Sequence, residues 1–275
     1  MTIPIEQLGL LPLFDAVYGS SAGALNAAWL LCGRAESTKH AWWDRTIMDG
    51  TIDPRRALRR KPIVDTNFLV HTVYTQLMPM GFREILDNPV EFHPIATDAR
   101  TGAATDLHEH CRDRAGIQTA LRATTAMPLL TGEPVEIAGH RYIDAGVSEA
   151  IPVRTSLAQG ATHLVALRTR RADERTTPPS RAERVVLSRW FARHAPGALD
   201  TWLRRSELRA EEERLLAAHP RTLQIRPPAG SPHVGRTERN PTLLRAVVDT
   251  GRRAAWGVLA DHCGHSLGGG TRSSA

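Results

Sequence analysis

The sequence predicts an α/β fold, with a mostly parallel central sheet flanked by helices and a helical C-terminal extension. Three observations carry this expectation. Short apolar runs alternate with longer helix-like segments as far as Leu167. One strand-like segment runs directly into Gly19-Ser20-Ser21-Ala22-Gly23 and then into an Ala- and Leu-rich stretch. Beyond a Pro-containing linker, apolar residues recur at helical spacing among many charges.

Taken in order, Phe14 to Tyr18 reads as a strand and Ala24 to Cys32, built of strong helix formers, as a helix. Helical signals follow at Glu36–Met48 and Asn67–Gln76. Val90–Thr97 is a strand and Thr101-Gly102 a turn. Ile117–Thr125 is a helix that ends before Pro128. Val135–Ile137 and His140–Ile143, divided by Gly139, form a hairpin. Pro152–Gln159 is a short helix with Pro152 in its first turn and Gly160 past its end, and His163–Leu167 is a strand. Arg171–Arg181, with its Thr-Thr-Pro-Pro-Ser run, is a linker. Helices are then expected over Glu183–Arg193, Ala198–His219 and Thr242–Asp261, with a strand at Leu223–Ile225 and a loop over Pro228–Pro241. No internal repeat is present.

The 275 residues are 41% apolar and 23% charged, enough to bury a sizeable core and unlike a disordered or fibrous chain. The three cysteines, Cys32, Cys111 and Cys263, lie far apart and fit neither a disulfide framework nor a zinc cluster. The apolar stretch Ala22–Gly33, broken by Asn26, is well short of the ~20 residues that cross a bilayer. With no basic residue before Arg34, the start does not read as a secretory signal. A cytoplasmic location is expected. The net charge of +6 divides unevenly: residues 1–153 carry −4 and residues 154–275 carry +10. Of the 35 basic residues 33 are arginine, which suits bidentate contact with phosphate or carboxylate. The basic half therefore suggests peripheral contact with an anionic membrane, although solvated helix faces account for such charge equally simply. Aromatic residues make up only 5%, too few for base stacking, so nucleic acid is not an expected partner.

Gly19-Ser20-Ser21-Ala22-Gly23 satisfies Gly-x-Ser-x-Gly between a strand and a helix, the context of a nucleophile elbow. In such a turn the flanking glycines let backbone approach closely, and Ser21 stands at a helix N-terminus that favours negative charge. The competing reading is a purely structural glycine turn. A serine needs a base. None of the twelve histidines has a distinctive setting. Asp144, in Tyr142-Ile143-Asp144-Ala145-Gly146, ends an apolar strand, where open α/β sheets gather their sites. On these residues alone a turn-forming aspartate is an equal reading.

Four blocks in order make the sequence resemble the patatin-like phospholipases, lipid acyl hydrolases that use a Ser-Asp dyad. Leu8-Gly9-Leu10-Leu11-Pro12-Leu13-Phe14-Asp15 followed by Gly19 to Ala27 resembles the family's helix–strand–elbow block. Ile95-Ala96-Thr97-Asp98 with Thr101-Gly102 resembles its middle strand and turn. Ala123-Thr124-Thr125-Ala126-Met127-Pro128 and Tyr142 to Val147, with Pro152 beyond, resemble the block that carries the aspartate. The resemblance implies Ser21 as nucleophile and Asp144 as its base, within the elbow Gly19, Ser20, Ala22 and Gly23. Gly146 ends the Asp-Gly-Gly/Ala-type motif, in which Ala145 replaces the more usual glycine. It implies hydrolysis of a lipid ester through an acyl-enzyme, with no cofactor and no metal. A patatin-like domain is then expected over residues 1–170, a linker over 171–181, a mainly helical region over 182–262 and a flexible tail over 263–275. The family opens with a strand leading to a Gly-Gly-Gly-x-Arg/Lys-Gly loop that supplies oxyanion donors. No glycine stands before Gly9, so the first strand and that loop are expected to be missing, through a start that lies upstream. A catalytically dead patatin fold that binds lipid or a partner is the alternative, and a Ser-His-Asp esterase fits less well.

Overall fold

The computed structural model describes residues 1–174 and 180–268. A short helix, α1 (Thr2–Gln7), precedes strand β1 (Ala16–Ser20) and helix α2 (Ala22–Leu31). α2 is apolar on almost every side, and Ala24, Ala27, Ala28, Trp29 and Leu31 are all buried, so it lies inside the molecule. The following stretch holds α3 (Arg45–Thr51), capped by the Asp44 carboxylate on the Ile47 N–H, a π-helical segment Phe68–Leu77 and α4 (Phe82–Leu86). Strands β2 (Glu91–Asp98) and β3 (Ala104–Asp106) come next, then α5 (Arg114–Thr124), capped by Asp113 on the Gly116 N–H. Strands β4 (Val135–Ile137) and β5 (His140–Ile143) form the expected hairpin. The chain continues through α6 (Val153–Ala158), β6 (Leu164–Leu167), α7 (Arg181–His194), α8 (Leu199–Leu203), α9 (Arg205–Ala218), β7 (Thr222–Ile225) and α10 (Pro241–Gly268).

The central sheet runs β1-β2-β5-β4, with β3 also paired to β2. It is mixed, and the expectation of a mostly parallel sheet is corrected. Only β1–β2 is parallel, whereas β2–β3, β2–β5 and β4–β5 are antiparallel. The tight turns at Thr101-Gly102 and Ala138-Gly139 fold strands directly back on themselves, and no helical crossover intervenes to make them parallel. The second parallel pair, β6–β7, forms a separate two-stranded sheet. Other boundaries shift too. The first strand starts two residues later than expected because Leu11–Leu13 takes a 3₁₀ turn. The expected Ala198–His219 helix is two helices that meet at Arg204. The last helix continues past Asp261 to Gly268, so 263–268 is helical rather than tail, while 269–275 lies outside the described residues, as does 175–179 of the linker.

One apolar cluster joins α2, the π-helical segment, α5 and β2 through residues such as Leu31, Val73, Phe92 and Leu121. Another carries the C-terminal helices onto the sheet: Phe191 and Trp202 pack with Ile143 and Val147 on either side of Asp144. Among the described residues β1 pairs only with β2, and β6 only with β7. Ala16, Val17 and Tyr18 of β1 and Leu164 to Leu167 of β6 line one cavity of about 2010 Å³.

The loop after Asp144 is held by two buried carboxylates. Glu149 accepts the N–H groups of Arg154 (2.6 Å) and Thr155 (3.0 Å). Glu212, on α9 and fully buried, accepts those of Ala150 (3.0 Å) and Ile151 (3.2 Å). Burial, reinforced by the nearby Glu149, pushes the Glu212 carboxyl up to about 7 against the pull of those N–H groups and of Arg154. Its folded-state value lies above the unfolded one, so folding favours the protonated form. The associated stability is complete below about pH 4.5 and is lost as pH rises through about 7. The unfolding free energy measured in denaturant should therefore fall across that window, by roughly 3 kcal/mol at most. Glu212→Gln should flatten the slope; an unchanged slope would assign it to other groups.

Candidate active site

Ser21 sits where β1 ends and α2 begins, with φ 54° and ψ −125°. A non-glycine residue rarely adopts this backbone, and the strain persists because the surroundings hold it. Gly19 is one of those surroundings: a Cβ there would lie 2.4 Å from the Cα and 2.7 Å from the N of Ala24. The sequence reading gave Gly23 the same role, and this is corrected, since a Cβ at Gly23 would meet nothing within 4 Å. The Ser21 N–H donates to Thr124 Oγ1 (2.9 Å), and the Thr124 hydroxyl donates in turn to the carbonyl of Ile95. Ser20, beside it, donates to the carbonyl of Glu149 (2.9 Å) and so ties the elbow to the loop after Asp144.

Asp144 follows β5, and its side chain faces Ser21. The Ser21 hydroxyl donates to Asp144 Oδ2 at 2.6 Å, while Asp144 Oδ1 accepts the Gly146 N–H at 2.8 Å. A Cβ at Gly146 would stand 2.8 Å from that same Oδ1, so glycine lets the carboxylate close on its N–H. Ala145 is fully buried between the two. The Asp144 backbone is held at both ends: its N–H donates to Ala126 O (2.9 Å), and Thr97 Oγ1 donates to its carbonyl (2.9 Å). Ser148 completes this network with a 2.8 Å contact to the Thr97 hydroxyl.

Burial pushes the Asp144 carboxyl above its ordinary value, against the downward pull of the Ser21 hydroxyl, the Gly146 N–H, and the charges of Arg236 and Arg209. A carboxylate that is disfavoured as an anion is a stronger base toward the one proton within its reach. Ser21 and Asp144, singled out from sequence, are thus brought together across 123 residues of chain. Among the described residues no histidine bonds to either. His93 is engaged with Asp106 (2.6 Å) and Glu91 (3.0 Å), His140 with Asp98 (3.5 Å) and His233 with Glu174 (3.3 Å). Neither is there, among the described residues, a group of three or more His, Cys, Asp or Glu side chains able to hold a metal ion.

Helix α2 starts at Ala22 and points its first-turn N–H groups toward the elbow end, where Ala22 and Gly23 line the large cavity. Sequence reasoning missed Thr97, Thr124, Glu149 and Glu212 as supports of the site. Thr97 and Thr124 stand inside recognisable blocks, but nothing local marks either glutamate. No described helix is long and apolar enough to cross a membrane.

Residues 5–157 match the profile of the family described as Patatin-like phospholipase, more than half of the chain, and the chain belongs to that family. The chain is also 27% identical over 201 residues to the uncharacterized protein YjjU of Escherichia coli (strain K12). That match takes in 71% of this chain and 50% of the relative, so the chain spans about half the length of that protein.

The contrast between the two elbow glycines can be measured. Gly19→Ala should destabilise the protein by about 1–3 kcal/mol in denaturant unfolding, because backbone rather than a flexible side chain stands in the way. Gly23→Ala, inside a helix with open space, should leave stability unchanged or slightly raised. Equal effects at the two positions would contradict the geometry.

Proposed function

We propose that this member of the patatin-like phospholipase family is a serine acyl hydrolase of lipid esters that works through Ser21 and Asp144. The observation that supports this most is the 2.6 Å bond from the Ser21 hydroxyl to a buried carboxylate. In this reading Asp144 takes the Ser21 proton as Oγ attacks the ester carbonyl, and a C–O bond forms while the carbonyl π pair moves onto oxygen. The tetrahedral adduct collapses by expelling the alcohol, which receives the proton from Asp144. Water then adds to the acyl-enzyme, giving its proton to Asp144, and the carboxylic acid leaves as the proton returns to Ser21. No external oxidant, reductant or metal is needed for the balance.

The developing oxyanion needs donors, each contributing about 2.7–4 kcal/mol. The first-turn N–H groups of α2 supply positive potential at the elbow. We assign the remaining donors to a segment that pairs with the edges of β1 and β6 that have no partner strand among the described residues, in the cavity they share. Such a segment extends both sheets and reaches the elbow end of β1. In the same reading the basic C-terminal half holds the protein on anionic membranes, where Leu203 and Trp256 are exposed near Arg204, Arg252 and Arg253.

With a chromogenic ester, Ser21→Ala and Asp144→Asn should each lower kcat/KM by at least about 1,000-fold, whereas no single histidine substitution should approach that loss. Because Asp144 must be ionised to act, activity should rise with pH through a value above the ordinary carboxylate one. A histidine variant as inactive as Ser21→Ala would replace the dyad by a triad. For the membrane contact, sedimentation should show stronger binding to vesicles containing anionic phospholipid than to neutral ones, with the difference erased by salt. Equal binding to both at low salt would return the arginines to ordinary solvated faces.

A further inference from the structure

Between α3 and the π-helical segment the chain makes a closed, exposed loop that takes no part in the chemistry above. Backbone fixes its base: Ile52 and Val64 form an antiparallel bridge, and the Asp53 N–H donates to the Ile63 carbonyl (2.9 Å). The Asp65 N–H donates likewise to the Thr51 carbonyl (2.8 Å). Inside the loop Asp53 caps a 3₁₀ turn over Pro54–Arg59 by accepting the Arg55 N–H at 3.0 Å. Arg56 is committed to the loop itself, donating to the Gly50 carbonyl (3.1 Å) and pairing with Asp65 (3.1 Å). The loop is therefore formed before any partner arrives, and docking it costs little ordering. Midway between Ile52 and Val64 stands Leu58, 88% exposed. Arg55, Arg56, Arg59, Arg60 and Lys61 surround it in sequence, five basic residues in seven positions, within a half of the chain whose net charge is −4. Arg55, Arg59, Arg60 and Lys61 are exposed, and among the described residues no carboxylate pairs with any of them. Arg204, beside the exposed Leu203, differs: Glu207 (3.2 Å) and Asp200 (3.7 Å) already meet its charge.

The loop also stands at the cavity that reaches the elbow. Ile52, at its base, lines that cavity together with Met48, Ala22 and Gly23. On the other side the Val64 N–H donates to the Leu130 carbonyl (2.9 Å), in the segment whose Ala126 carbonyl accepts the Asp144 N–H. That segment presents a second apolar side chain, Leu129, 39% exposed. An apolar tip set among unpaired cations matches a surface that carries anions above an apolar layer. Long arginine and lysine stems keep their charges at the level of the anions while the leucine goes deeper. Nucleic acid matches less well, because residues 54–62 hold no aromatic side chain to stack on a base.

We propose that the loop from Asp53 to Ile63 docks the protein on an anionic phospholipid bilayer, with Leu58 entering the acyl layer and Arg55, Arg59, Arg60 and Lys61 at the headgroups. This adds to the C-terminal arginines a named N-terminal element that inserts, and it turns the cavity beside Ser21 toward the bilayer. The inference rests on the membrane contact in the reading above, but docking is measured without catalysis.

Ser21→Ala protein would be sedimented with phosphatidylcholine vesicles that contain or lack phosphatidylglycerol. Adding Leu58→Gln should weaken partition onto the anionic vesicles at least about fivefold, and the loss should persist in high salt. Leu58→Trp should bind at least as well as leucine, since an aromatic ring also suits the interface. The pair Arg59→Gln and Lys61→Gln should weaken binding at least about tenfold at low salt, with the difference removed by salt. The charge-matched pair Arg252→Gln and Arg253→Gln, on α10, should weaken it less. With Ser21 restored, Leu58→Gln should leave kcat/KM for a short-chain chromogenic ester unchanged in lipid-free buffer, which also shows that the variant folds. Undiminished binding in Leu58→Gln overturns insertion, and a loss in the α10 pair as large as in the loop pair moves docking to α10 and overturns the assignment. Binding to polyglutamate or DNA that depends on Arg59 and Lys61, without binding to either vesicle, makes the loop a contact for an acidic macromolecule and overturns the bilayer. Loop-dependent vesicle binding without hydrolysis of any ester keeps the docking surface and overturns the hydrolase reading instead.

Discussion

The hydrogen bond between Ser21 and Asp144 joins two strand ends that are remote in sequence, and most of the surrounding structure holds those ends in place. A carboxylate as buried as Asp144 is costly as an anion, and its partners offset only part of that cost. Its position is fixed from several directions: Gly146 binds one oxygen, Ser21 the other, and Ala126 and Thr97 hold the backbone. On the serine side, the strained backbone of Ser21 is tied through Thr124 to Ile95 in the neighbouring strand β2. A short donor–acceptor distance maintained by rigid elements is what a base needs before substrate arrives.

The C-terminal region is part of that rigidity. Phe191 and Trp202 pack against Ile143 and Val147, which bracket Asp144 in sequence, and Glu212 holds the next turn of the same loop. A segment outside the matched family residues thereby sets the geometry of a residue inside them.

Much of the site was legible in the sequence because its signals are local. A strand, a Gly-Ser-Ser-Ala-Gly turn and a helix are consecutive in the chain, and Asp144 follows directly on an apolar strand with small residues after it. Strand direction was not legible, since period-two apolar patterns do not distinguish parallel from antiparallel pairing, and the hairpins at Gly102 and Gly139 decided the sheet. The break at Arg204 was hidden because apolar spacing continues across it. Glu212 reads as one more surface charge in an Arg- and Glu-rich helix, and only the tertiary fold buries it. Gly23 shows the opposite error: the motif contains it, yet the geometry leaves open space where its side chain would be.

In the proposed chemistry Ser21 is a nucleophile because Asp144 accepts its proton. The most direct measurement is covalent capture of the protein by a fluorophosphonate ester, followed by peptide mass spectrometry. A single phosphonylated peptide carrying the adduct on Ser21 is expected, with labelling slowed at least about 100-fold in Asp144→Asn protein that remains folded. Labelling at another serine, or labelling of Ser21 at an undiminished rate in Asp144→Asn, would contradict it.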